Sequence, residues 1–267
     1  MKNLSNYILE AKKQNLDVDR RQPKSRSELE MIISGAFKRK QYDLNFIDTS
    51  KITDMSELFE GVKHNFDVSS WDVSNVKDMS KMFSRCYAFT GKGLKNWDVS
   101  NVTDMSHMFD SCSIFIGKGL ENWDVSNVTN MYSMFLHCKK FDCDLSNWDM
   151  SNVIDTSLMF SNCAKFTGKG IENWNVSKVK SMYAMFGDCT NFNCDVSNWD
   201  VSNVTDMDSM FVNCKKFTGK GLENWNVSKV KTMRTMFNGC KFNYHELDWD
   251  LSGLSSQLKT FRNYLDD

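Results

Sequence analysis

The chain has 267 residues, with 33 basic against 34 acidic side chains, 41% apolar residues, nine cysteines and one proline. Aromatic content of 13% beside 25% charged residues is that of a chain that buries a core, which excludes global disorder; no run reaches the ~18–20 apolar residues of a membrane helix. A net charge of −1 excludes a general attraction to nucleic acid or anionic membrane.

Residues 1–22 read as an N-terminal arm. The opening Met1 to Tyr7 lacks the apolar core of a secretory signal, so the expected location is cytoplasmic. Leu4, Tyr7, Ile8 and Ala11 make a short apolar stripe. A three-turn helix is marginal alone in water, so this stripe either folds back on the chain or forms a docking helix. Residues 23–46 read as an N-terminal helical cap. Ser27 and Glu30 have capping-box spacing, and Leu29, Ile32, Ile33, Ala36 and Phe37 share one helical face.

A repeat governs residues 47–252. Its markers are Trp71, Trp97, Trp123, Trp148, Trp174, Trp199, Trp225 and Trp249, spaced 24 to 26 residues apart. Such a period marks a repeat array. The unit reads W-D-V-S-N-V-x-D-M-x-x-M-F-x-x-C-x-x-F, and an earlier copy opens at Ile47, with Ile in the tryptophan slot. Around Trp71 to Ser74 apolar and polar residues alternate, which predicts a strand. Met79, Met82, Phe83 and Cys86 fall at i, i+3, i+4 and i+7, which predicts a short helix with Asp78 at its N-terminus. A Gly-containing turn then reverses the chain. The predicted fold is an α/β solenoid: a leucine-rich-repeat-like stack of about eight strand-turn-short-helix coils with helical caps at both ends. The second cap covers residues 253–267, where Leu254, Leu258, Phe261 and Leu265 repeat at helical spacing.

The runs Trp97-Asp98-Val99-Ser100-Asn101-Val102-Thr103-Asp104-Met105 and Met108-Phe109 resemble the BspA-type leucine-rich-repeat family, also called DUF285 repeats. The resemblance covers roughly residues 47–252. It implies a repeat fold of that type. It implies two classes of role: surface adhesins, and signal-less cytoplasmic or phage-encoded proteins.

Equivalent residues of a stacked repeat form columns. The Trp, Val, Met, Phe and Cys columns are large and apolar and read as core. One outward column carries Asp72, Asp98, Asp124, Asp149, Asn175, Asp200, Asn226 and Asp250, and beside it runs a serine column that includes Ser100, Ser126 and Ser151. Such residues cap turns, and they are equally the candidate partner-binding face, because repeat proteins bind on such faces. Gly-Lys-Gly turns place Lys92, Lys118, Lys169 and Lys220 on a candidate basic edge for phosphate or RNA.

Seven cysteines share one slot, and Cys143 and Cys194 stand in the shorter turns. No C-x-x-C pair marks a metal site, and helices ~8–10 Å apart would hold cysteines of adjacent coils beyond disulfide reach. Nine free thiols, no metal and no cofactor are the expectation. The four histidines His64, His107, His137 and His245 occupy four different contexts, so no catalytic constellation is expected. The functional expectation is a non-enzymatic scaffold binding a protein or protein complex, as a phage-encoded tether or an inhibitor of a host defence complex. The alternatives are a bacterial surface adhesin and a nucleic-acid or nucleotide binder on the Gly-Lys-Gly edge.

Overall fold

The computed structural model describes residues 21–243, 247–252 and 254. The chain enters through a single parallel bridge of Arg21 with Ile47 and then forms α1 (Arg26–Lys38). Ser25 is the N-cap: its Oγ accepts the Glu28 N–H at 3.2 Å, while the Glu28 carboxylate accepts the Lys24 N–H at 2.8 Å. The capping box is therefore Ser25 with Glu28, two residues before the predicted Ser27 with Glu30. α1 buries Leu29, Ile33 and Ala36 against the first coil. Arg26 reaches across to that coil, donating to Asp54 Oδ1 at 2.8 Å, Ser56 Oγ at 2.7 Å and the Ser56 carbonyl.

Past α1 the described residues contain no further α-helix and no sheet; two 3-10 turns, Leu94–Asn96 and Leu222–Asn224, and isolated parallel bridges are all the regular structure there. This corrects the predicted α/β solenoid of strand-turn-helix coils. The segment expected to be a helix is a string of turns. Met82, Ser84 and Cys86 N–H groups close onto the carbonyls of Met79, Lys81 and Phe83 at 2.9–3.1 Å. Between them Met79, Lys81, Phe83 and Arg85 donate to Asp104, Ser106, Met108 and Asp110 of the next coil at 2.7–3.0 Å. A helix needs Phe83 N–H on the Met79 carbonyl; the neighbouring coil takes it instead. Lys81 and Arg85 sit in the left-handed region at φ 54° and 59°, and equivalent pairs recur down the stack. The i, i+3, i+4, i+7 stripe is real, and both conformations turn those residues inward.

The coils are registered by a ladder of single bridges, Asp54 to Asp78, Asp104, Asn130, Asp155, Ser181, Asp206 and Thr232. The core is a set of ring columns. Phe83, Phe109, Phe135, Phe160, Phe186 and Phe211 stack with centroids 5.4–5.8 Å apart and rings within 12° of parallel. In the tryptophan column Trp97 and Trp123, and Trp148 through Trp249 in turn, lie 6.3–6.5 Å apart. These separations replace the ~8–10 Å expected between helices.

Side chains lock the same register. Every indole N–H from Trp71 to Trp249 donates to a backbone carbonyl of the preceding coil at 2.9–3.2 Å. Each column cysteine donates its S–H to the phenylalanine carbonyl of the preceding coil at 2.8–3.1 Å: Cys86 to Phe59, and so on to Cys240 on Phe211. The thiols of all nine cysteines are free. Helix separation does not keep them apart, since the coils lie closer than helices would; in the seven-residue column each sulfur has its partner in a carbonyl. Of the predicted C-terminal cap, Leu254 is buried, and Leu258, Phe261 and Leu265 lie outside the described residues.

Candidate binding faces

The acid/amide column is exposed and built by local turns. Asp72 Oδ1 accepts the Ser74 N–H at 3.0 Å and its hydroxyl at 2.6 Å, which is the Asx turn a D-x-S sequence favours. The same N–H bond recurs from Ser100 to Asp98, Ser126 to Asp124, Ser151 to Asp149, Ser177 to Asn175, Ser202 to Asp200, Ser228 to Asn226 and Ser252 to Asp250. Each column residue directly follows a stacked tryptophan, so the column rises at the tryptophan interval. The hydrogen bonds from Ser126 hold Asp124 below the ordinary carboxylate range, and those from Ser202 do the same for Asp200, against a small opposing effect of burial. At these two positions the turn favours the charged form.

Three of the four Gly-Lys-Gly lysines, though exposed, pair with carboxylates of the preceding coil. Lys92 pairs with Asp67 at 2.6 Å, Lys169 with Asp144 at 3.0 Å and Lys220 with Asp195 at 2.7 Å. Each aspartate sits in the preceding coil, four residues before its tryptophan. Lys118 follows a coil in which Gly93 holds that slot. Burial opposes ionisation of Asp67, but hydrogen bonds from Lys92 and Ser69 hold it at about 2. Asp195 is likewise lowered to about 2, by Lys220 and then Ser197. The glycines are steric: a Cβ on Gly170 would lie 2.4 Å from Ser146 N, and one on Gly168 2.6 Å from Cys194 Cβ.

The three described histidines do not converge. His64 stacks beside Tyr42 at 4.8 Å, and His107 lies 3.5 Å from Asp110 and 5.0 Å from the Tyr132 ring. His137 is exposed, and His245 lies outside the described residues, as do Leu4, Tyr7 and Ile8 of the candidate docking helix. Among the described residues no cluster of His, Cys, Asp or Glu could hold a metal ion, and no helix is long and apolar enough to cross a membrane.

Three features escaped sequence reasoning. Asp208, 5% exposed, stands where Ser80, Ser106 and Ser157 stand in other coils; it accepts the Arg234 N–H at 2.6 Å, its side chain at 2.7–2.9 Å and the Thr232 hydroxyl. An open groove of about 440 Å³ lies between α1 and the first coil, floored by Ile33, Phe37, Leu58 and Val62 with Glu30 and Lys38 at its rim. Exposed Tyr87, Ile114 and Ile116 interrupt an otherwise polar edge. The signal for the first and third was present as departures from the repeat consensus.

No curated protein matches the chain, and no solved structure matches it. The family described as "Mycoplasma protein of unknown function, DUF285" matches four overlapping stretches, residues 2–93, 27–115, 88–170 and 159–265. With the repeat matched over nearly its whole length, the chain belongs to the DUF285 family.

Proposed function

We propose that the chain is a non-enzymatic repeat scaffold that binds a protein partner through the exposed column Asp72, Asp98, Asp124, Asp149, Asn175, Asp200 and Asn226. The observation that supports this most is register: identical Asx turns hold these side chains outward at a constant interval. A row of fixed carboxylates complements a basic protein segment, with charge giving orientation and rate more than raw affinity. A reducing, intracellular compartment belongs to the same reading, supported by nine free thiols. The finer form, a phage-encoded tether or an inhibitor occluding a host defence complex, has the family resemblance as its support, and so does the rival surface adhesin. The nucleic-acid alternative on the Gly-Lys-Gly edge is the weaker, because Lys92, Lys169 and Lys220 already have carboxylate partners.

The test is capture from cell lysate with protein and nucleic acid both identified, using the full chain and two triple variants. Asp98→Asn/Asp124→Asn/Asp149→Asn removes the charge and keeps the turn acceptor, as Asn175 and Asn226 do naturally. The corresponding triple Lys variant reverses the charge. A stoichiometric protein partner is expected on the native chain and on neither variant. Equal capture by all three rejects this face, and RNA binding that strengthens in the Lys variant selects the alternative.

A further inference from the structure

A second surface lies on the edge between the cysteine and phenylalanine columns, and it is independent of the acidic column. Phe89, Phe115, Phe141, Phe166, Phe192, Phe217 and Phe242 follow one another with centroids 5.4–6.3 Å apart. The one or two residues before each phenylalanine therefore form a continuous outer strip. In chain order the strip reads Tyr87-Ala88, Ser113-Ile114, Lys139-Lys140, Ala164-Lys165, Thr190-Asn191, Lys215-Lys216 and Lys241. It contains six lysines and no acid, in a chain whose net charge is only −1.

These lysines differ from those of the Gly-Lys-Gly turns. All six are exposed, and none makes an ion pair among the described residues. The nearest carboxylate in sequence, Asp142, is engaged by Thr167, whose N–H and hydroxyl it accepts at 3.1 and 2.8 Å. At the other end of the strip Tyr87 is 54% exposed and Ile114 38%, while Ile116, one residue past its phenylalanine, is 51% exposed. Exposed large apolar residues that cluster instead of scattering mark interaction sites.

We infer that this edge docks an acidic protein segment carrying apolar residues at one end. The apolar end lies against Tyr87, Ile114 and Ile116, and the acidic part runs along Lys139, Lys140, Lys165, Lys215, Lys216 and Lys241. Charge complementarity selects an anionic occupant. Tyr87 is the single ring on this strip and Ile114 and Ile116 beside it are aliphatic, whereas single-strand binding draws on successive stacking rings, so the occupant is protein. Six intervals of 5.4–6.3 Å match an extended segment of about ten residues at ~3.3 Å each.

The experiment measures binding of the full chain to a fluorescein-labelled peptide of three leucines followed by glutamates. Its arms are a peptide of the same composition with the leucines interspersed among the glutamates, a single-stranded oligouridylate and phosphatidylserine-containing vesicles. The peptide with its leucines at one end should bind tightest and weaken with added salt. Affinity should fall at least tenfold in Lys139→Glu/Lys140→Glu/Lys215→Glu/Lys216→Glu, and measurably in Ile114→Ser/Ile116→Ser. The matching Gln variant of the four lysines gives an intermediate loss, with circular dichroism unchanged. Peptide affinity indifferent to all three variants, equal binding of the interspersed peptide, or tighter binding of RNA or vesicles through the same lysines overturns the proposal. Because Asp98, Asp124 and Asp149 are untouched, failure here leaves the acidic-column reading standing, and the reverse also holds.

Discussion

The tryptophans and the column cysteines each make a hydrogen bond to the preceding coil, and the turn glycines avoid a clash with a neighbouring one. The tryptophans combine ring area with an indole donor, so size and donor can be separated by mutation. Trp148→Phe keeps most of the area and loses the bond to the Leu120 carbonyl, for a cost of about 1 kcal/mol. Trp148→Ala opens a cavity in the column and costs ~3–5 kcal/mol. Urea unfolding of the two variants checks both the size and the order of these losses.

The cysteines and the paired aspartates give pH dependences of opposite sign. Burial pushes the Cys86, Cys143 and Cys194 thiols up to about 12 and drives Cys138 and Cys163 well above their ordinary value. A raised folded value means the stabilisation is fully present below the unfolded thiol value of about 8.5 and is lost as pH rises toward 12. Asp67 and Asp195, lowered to about 2, stabilise above the unfolded value of about 3.9 and lose that as pH falls toward 2. The urea midpoint should therefore be flat near neutrality, falling above pH ~8.5 and below ~4. Asp67→Asn and Asp195→Asn should flatten the acid limb alone. At pH 8 the eight buried cysteines of the native chain should be inert to a thiol reagent that titrates nine after denaturation, leaving at most the half-buried Cys240 to react; a second reactive cysteine in the native chain contradicts the structure.

Among elements, the turn string and the Gly-Lys-Gly turn are both decided by the neighbouring coil. Gly170 has φ +88°, and its Cβ would meet the backbone nitrogens of Ser146 and Leu145 at 2.4 and 2.7 Å. Gly170→Ala should thus lower the melting temperature or abolish folding, because backbone cannot step aside. Gly35 in α1 is the contrast. Its φ is not left-handed, and the nearest atom to an added Cβ is the mobile end of Arg39 at 3.4 Å. Gly35→Ala should stabilise by roughly 0.4–1 kcal/mol through the unfolded chain. Thermal melts of the pair distinguish glycine as steric necessity from glycine as tolerated helix residue. The functional candidates divide in the same way. The lysines of the turn were legible in sequence as a basic edge, but Asp67, Asp144 and Asp195 reach them from another coil, and no local pattern reveals that.

For the whole molecule, coils that contact only their neighbours make stability close to a sum of unit and interface terms. Removing residues 124–148 would join Trp123 to Asp149 and restore every column in register. That variant should fold and unfold cooperatively with a lower urea midpoint. Removing residues 124–141 breaks the register of the indole, thiol and ring columns together and should leave no cooperative transition. Circular dichroism and urea titration of the two deletions report the difference.

The sequence by itself determined the period, the buried columns and the presence of a helix ahead of the repeats, because all of these follow from spacing and from side chains acting within a few residues. Even there the cap of α1 lay two residues from where Ser27 and Glu30 placed it, since Ser25 and Glu28 offer the same motif. The tertiary structure decided the conformation inside each coil. Met79, Met82, Phe83 and Cys86 face inward in a helix and in a string of turns alike, so apolar spacing cannot choose between them. The choice falls to the hydrogen bonds of Met79, Lys81, Phe83 and Arg85, which go to carbonyls about 25 residues ahead. Those acceptors exist only once the next coil is in place, and the close ring stacking that accompanies them leaves no room for a helix.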